Sequence, residues 1–108
     1  MSKEMAELDT LLSALLLAGA VSNVGKKQHS EAIKRSLLQS LASLSSVESD
    51  KHADLKRLTR QTILSAIQFV DNGKLSDKRL TYTYSIKAKR EIARLKNRII
   101  ERESALID

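Results

Sequence analysis

Cysteine and proline are both absent from the 108 residues, and tryptophan with them. Without cysteine there is no disulfide framework, no thiol nucleophile and no cysteine-ligated zinc or iron–sulfur centre. Average usage would place about five prolines in a chain of this length, and glycine is confined to positions 19, 25 and 73. So few turn-formers disfavour a sandwich or barrel of many short strands. Phe69, Tyr82 and Tyr84 are the whole aromatic set, too few for a platform on which single-stranded nucleic acid stacks.

Catalytic constellations are missing as well. His29 and His52 are separated by a whole expected helix, and no HExxH, no histidine pair at metal spacing and no Ser-His-Asp set can be read. Gly19, Gly25 and Lys26 evoke a phosphate-binding loop, but five residues intervene where four should. Lys27 stands where Ser or Thr should meet magnesium, and a helix precedes where a strand should. The carboxylates are dispersed, with no acidic pair on an apolar background. The expectation is a protein that is not an enzyme, with no cofactor, no metal and no small-molecule substrate.

What is present is helical. Hydrophobic residues make up 42% of the chain, enough for a core, and the length suits a single domain. The run Leu11–Val21 is too short to span a bilayer. Ahead of it Lys3 is outweighed by Glu4, Glu7 and Asp9, unlike the positive flank of a secretory leader. Met5, Leu8, Leu11, Leu12, Leu15 and Leu16 instead form one stripe at helical spacing. These features predict a soluble, cytoplasmic protein.

The spacing predicts a first helix over about 2–18 ended by Gly19, then a connector over 19–29. A second helix begins at a Ser30 cap, with Ile33, Leu37, Leu41 and Leu44 on one face and Ser36, Ser40 and Ser43 on the other. After a break at 45–50, Ser49 or Asp50 is expected to cap a third helix. Its wide apolar face, Leu55, Leu58, Thr62, Ile63, Ala66, Phe69 and Val70, implies at least two neighbours. Asp71-Asn72-Gly73 stops it, and Ser76 with Asp77 can cap a fourth helix. Residues 80–86, LTYTYSI, alternate like a strand. No second segment could pair with them, so helix is favoured over a strand that pairs with its own copy. The fold expected is all-α: a small bundle of four helices with a long C-terminal helix over 76–108.

That last helix carries the functional signal. Residues 1–71 hold nine Lys and Arg against eight Asp and Glu, whereas residues 72–108 hold ten against five. Ile92, Ile99 and Leu106 recur by seven, as do Ala88, Leu95 and Arg102, giving a heptad seam broken at Arg102. A second strip, Ile86, Ala93, Ile100 and Ile107, also recurs by seven. A third is cationic: Lys87, Arg90, Arg94 and Arg98. The plainer reading packs one strip on the first three helices and leaves the cations solvated. The sharper one compares lengths. At 1.5 Å per residue the last helix would reach about 48 Å against about 24–33 Å for the others, so its end should overhang and expose Leu95, Ile99 and Leu106.

An overhanging apolar strip predicts self-association or capture of a protein partner through Ala88, Ile92, Leu95, Ile99, Leu106, Ile86, Ile100 and Ile107. The expected function is therefore a small regulator or adaptor, of a composition that suits bacterial or phage regulators and antagonists. The alternative is nucleic-acid binding through Lys87, Arg90, Arg94 and Arg98, joined by Lys74, Lys78 and Arg79. A membrane-surface role is disfavoured because the apolar strips of the last helix hold no Trp or Phe.

Overall fold

The structure, a computed structural model, describes residues 3–23, 30–45 and 52–107. It is an all-α bundle of four helices: α1 (Lys3–Asn23), α2 (Ser30–Leu44), α3 (Ala53–Asn72) and α4 (Leu75–Ile107). Among the described residues there is no strand. α4, at 33 residues, sets the long axis of a body measuring 53 × 23 × 20 Å.

Cross-links between helix ends give the arrangement. Lys34 Nζ meets Asp71 Oδ1 at 2.8 Å, placing the start of α2 beside the end of α3. Arg102 donates to Glu4 at 3.4 Å and Lys96 pairs with Asp9, so α4 runs antiparallel to α1. His52 Nε2 lies 3.0 Å from Glu4 Oε1, which brings the starts of α1 and α3 to the same end. α1 and α3 contact each other and separate α2 from α4, so α3 has three neighbours. That explains why its apolar arc is wide: Leu55, Thr62, Ile63 and Ala66 are buried and Leu58, Phe69 and Val70 half-buried.

The core is built from Leu8, Leu11, Leu15 and Ala18 of α1, Leu37 of α2, Ile63 and Ala66 of α3, and Ala88 and Ile92 of α4. Hydroxyls enter it in a particular way. The Oγ1 atoms of Thr59, Thr62 and Thr81 donate to the carbonyls of Leu55, Leu58 and Asp77, four residues back. A buried threonine with this bond is largely apolar toward its neighbours and leaves no donor orphaned.

Several expected boundaries shift. Gly19 does not end α1, which continues to Asn23. Gly interrupts a helix at a cost of about 1 kcal/mol, a deficit offset here by burial of Ala18 and Val21 on either side. The connector over 24–29 lies outside the described residues, and so do Ser49 and Asp50. The residue that precedes α3 is His52, whose side chain makes no capping bond. At the far end of α3, Gly73 adopts φ 67°, ψ 15° and returns its N–H to Phe69 O at 2.8 Å, the left-handed stop expected of it. α4 starts one residue ahead of Ser76. Asn72 organises that start: its Oδ1 accepts from Lys74 N, and its Nδ2 donates to Asp77 Oδ2.

Residues 80–86 are helical throughout. Their alternation misleads because Thr81 and Ser85, two of the hydroxyl positions, are also four apart. Both are buried, in register with Ala88 and Ile92, so a helical period hides inside the strand-like one.

Candidate functional site

α4 is long enough to show three different faces, and the structure assigns each a different surrounding. The first is the heptad seam. Ser85, Ala88, Ile92 and Ile99 are buried by the chain's own α1 and α3, with Ile99 only 4% exposed, and Leu95 is half-buried. This corrects the reading of Ala88, Ile92 and Ile99 as a partner interface: they are core. The expected overhang fails for a geometric reason. Comparing lengths supposes that the excess of α4 lies at its C-terminal end. The Glu4–Arg102 and Asp9–Lys96 contacts start α1 beside the last turns of α4, the Glu4–His52 contact starts α3 at that same end, and the short link Gly73-Lys74 brings the end of α3 beside the start of α4, so Ile99 falls inside the bundle. Two helices of about 20 residues thus cover most of one of 33. Beyond Ile99, residues 100–105 are exposed as a block. Leu106 and Ile107 belong to the helix, but their side chains lie outside the described residues.

The second face is cationic. Lys87, Arg94 and Arg98 are exposed or half-exposed along an open cleft of about 1090 Å³ between the first half of α3 and the second half of α4, with Leu55, Leu58 and Leu95 among its lining. Arg90 is on the same side of the helix but does not line the cleft. The four are not equivalent. Arg94 is held by Glu91, and the bond pushes the carboxyl of Glu91 below its ordinary range and the guanidinium of Arg94 above its own. Arg102 is engaged by Glu4. Among the described residues Lys87, Arg90 and Arg98 make no ion pair.

Lys74 and Lys78 are not gathered with them, whereas Arg79 lies on the flank of Arg90 three turns earlier. Lys74 sits exposed in the link before α4, and at about 100° per residue Lys78 projects from the side of α4 opposite Lys87. The seven cations expected from sequence to form one nucleic-acid surface therefore fall into two groups.

The third face is apolar and open. Leu75, Tyr82, Ile86, Ala93 and Ile100 fall within about 40° of one another around α4. Leu75, Tyr82 and Ile100 are 65%, 63% and 51% exposed, Ala93 is exposed and Ile86 half-buried. This strip contains the second heptad repeat of the sequence. Leu75 and Tyr82, seven apart and in phase with it, are hard to see in the sequence because they precede the repeat and Tyr82 sits in the strand-like stretch. On one edge the strip is bordered by Lys89 and Lys96, which turn toward Gly19 and Asp9 of α1. Leu16 lies seven residues after Asp9, hence on the same side of α1, and is 53% exposed.

No known protein family, curated protein or solved structure matches the chain. Function must be read from these three faces. Among the described residues no cluster of histidine and acidic side chains is placed to hold a metal ion, and no helix is long and apolar enough to cross a membrane.

Proposed function

We propose that this is a non-enzymatic protein-interaction module, a small helical regulator or adaptor whose working surface is the outward flank of α4. The observation that supports it most strongly is the open strip itself. Four of the seven large apolar side chains exposed among the described residues, Leu16, Leu75, Tyr82 and Ile100, gather on one flank of the bundle. Scattered single exposures are ordinary, whereas a contiguous apolar strip rimmed by charge marks a contact surface. Residues 101–105, exposed as a block at the end of the same helix, give a partner a further hold.

The test is whether the strip contacts protein at all. Light scattering on the chain alone, and titration with amphipathic helical peptides of either charge, are run on the wild type and on Tyr82→Asp/Ile100→Asp. The expected result is self-association or peptide binding that the double variant loses while keeping its helical circular dichroism. A monomer that binds neither peptide refutes the proposal.

A second reading rests on the unpaired cations Lys87, Arg90 and Arg98, which a duplex phosphate backbone could neutralise. Three neutralised phosphates predict a log–log salt slope of about −3 in a gel-shift series. Loss of binding in Lys87→Ala/Arg90→Ala/Arg98→Ala would support it, and a slope near zero or unaltered binding would reject it.

A further inference from the structure

The open strip also carries information about what should cover it. We infer that its occupant is an acidic amphipathic helix of another protein, with apolar residues at heptad spacing, and that a second copy of this chain is excluded. The inference rests on the reading of α4 as a protein-binding surface and goes further by naming the partner's chemistry.

Shape comes first. Tyr82, Ile86, Ala93 and Ile100 extend over 18 residues, about 27 Å at 1.5 Å per residue, in a strip one side chain wide. From Ile86 onward its members recur by seven, one apolar position per heptad, which suits a second helix laid along it, with Lys89, Arg90 and Lys96 at the positions between. Small Ala93 at its centre lets a second backbone approach closely there.

Charge then decides between partners. Over most of its length the strip is bordered by Lys78, Lys89 and Lys96 on the α1 side and by Arg79 and Arg90 on the other, with Glu101 and Glu103 flanking only its end at Ile100. Asp9 is nearby, already engaged by Lys96. An antiparallel second copy centred on Ala93 would match Ile86 with Ile100 and so satisfy the apolar seam. Antiparallel helices meet like flank to like flank, so the same register sets Lys89 beside Lys96 of the second copy twice over. Parallel helices meet opposite flanks, so a parallel copy sets Lys89 against Arg90. Like charges across a helix pair are destabilising and select against that pairing. A helix with glutamates on both sides of its apolar seam meets Lys78, Lys89, Arg79 and Arg90 instead, beside the Lys96 that Asp9 engages, and electrostatic complementarity of this kind fixes partner choice and speeds encounter.

The experiment uses the intact chain and two synthetic helical peptides sharing one apolar heptad seam, the first flanked by glutamates and the second by lysines. Fluorescence anisotropy reports binding, light scattering reports the mass of the chain, and vesicles rich in an anionic lipid form a separate arm. The glutamate-flanked peptide is expected to bind at least about tenfold more tightly than the lysine-flanked one, more weakly as salt rises, with the chain alone monomeric. Arg79→Glu/Arg90→Glu, which changes two side chains outside the core, should sharply reduce the preference while leaving helicity intact.

A dimer dissolved by Ile100→Asp would overturn the choice of occupant while sparing the protein-binding reading. Equal affinity for both peptides would do the same. Vesicle binding without peptide binding would replace the protein partner by a lipid surface and overturn both.

Discussion

At the scale of single residues, the contrast between Thr81 and Ser85 shows what burial demands of a hydroxyl. Both face the core from α4, four positions apart, yet Thr81 Oγ1 bonds to Asp77 O at 2.9 Å while Ser85 Oγ is buried with no partner. An unsatisfied buried hydroxyl destabilises, and deleting it removes the desolvation penalty without opening a large cavity. Ser85→Ala is therefore expected to stabilise the fold by about 1 kcal/mol, read from the urea midpoint, whereas Thr81→Ala should destabilise it. A loss of stability in Ser85→Ala would show that its hydroxyl is satisfied in solution. The Glu91–Arg94 pair makes a smaller, pH-dependent contribution. Because folding lowers the affinity of Glu91 for protons, its stabilisation is present above the ordinary carboxylate range and disappears as pH falls through the lowered value. The pair is exposed to solvent and of modest strength. Glu91→Gln should thus lower the melting temperature by a few degrees at most at pH 7 and leave it unchanged in strong acid.

At the scale of elements, two glycines that look alike in sequence play opposite parts. Gly73 occupies the left-handed region at φ 67°, where a side chain is strained. Gly19 sits inside α1, and a Cβ placed there would meet Lys89 Nζ and Ser85 Oγ at 3.6 Å, ordinary contact distances. Gly73→Ala is expected to cost about 1 kcal/mol, and Gly19→Ala to raise stability by up to about 1 kcal/mol through helix propensity. Thermal melts of the two variants should move in opposite directions. Sequence patterning placed all four helices, because apolar residues at three and four spacing leave little choice once strands lack partners. It placed the stop at Gly73 because Asp-Asn-Gly is a local signal. It misjudged Gly19 because nothing local reveals that residues beyond it are buried by a neighbour distant in the chain. The strand-like stretch at 80–86 resolves for a similar reason: its packing against α3 decides the period that local alternation blurs.

At the scale of the whole molecule, the common start of α1 and α3 beside the last turns of α4 turns an expected overhang into a closed core. Ala88, Ile92 and Ile99 are legible in the sequence as a seam, but whether a seam closes on its own chain or on another depends on helix offsets that no periodicity encodes. The same wheel contained the strip of Ile86, Ala93 and Ile100, which remains open. Helix α4 is thus amphipathic twice, inward for folding and outward for the binding proposed above. Neighbouring positions at its end separate these roles with least ambiguity: Ile99 is 4% exposed and Ile100 is 51% exposed. An identical substitution at each, with stability read by chemical denaturation, tests the division directly. Ile99→Asp buries a carboxylate among apolar side chains and should remove several kcal/mol or prevent folding, while Ile100→Asp should stay within about 0.5 kcal/mol of the wild type. Equal losses at both positions, or the larger loss at Ile100, would contradict the assignment of one face to the core and the other to a partner.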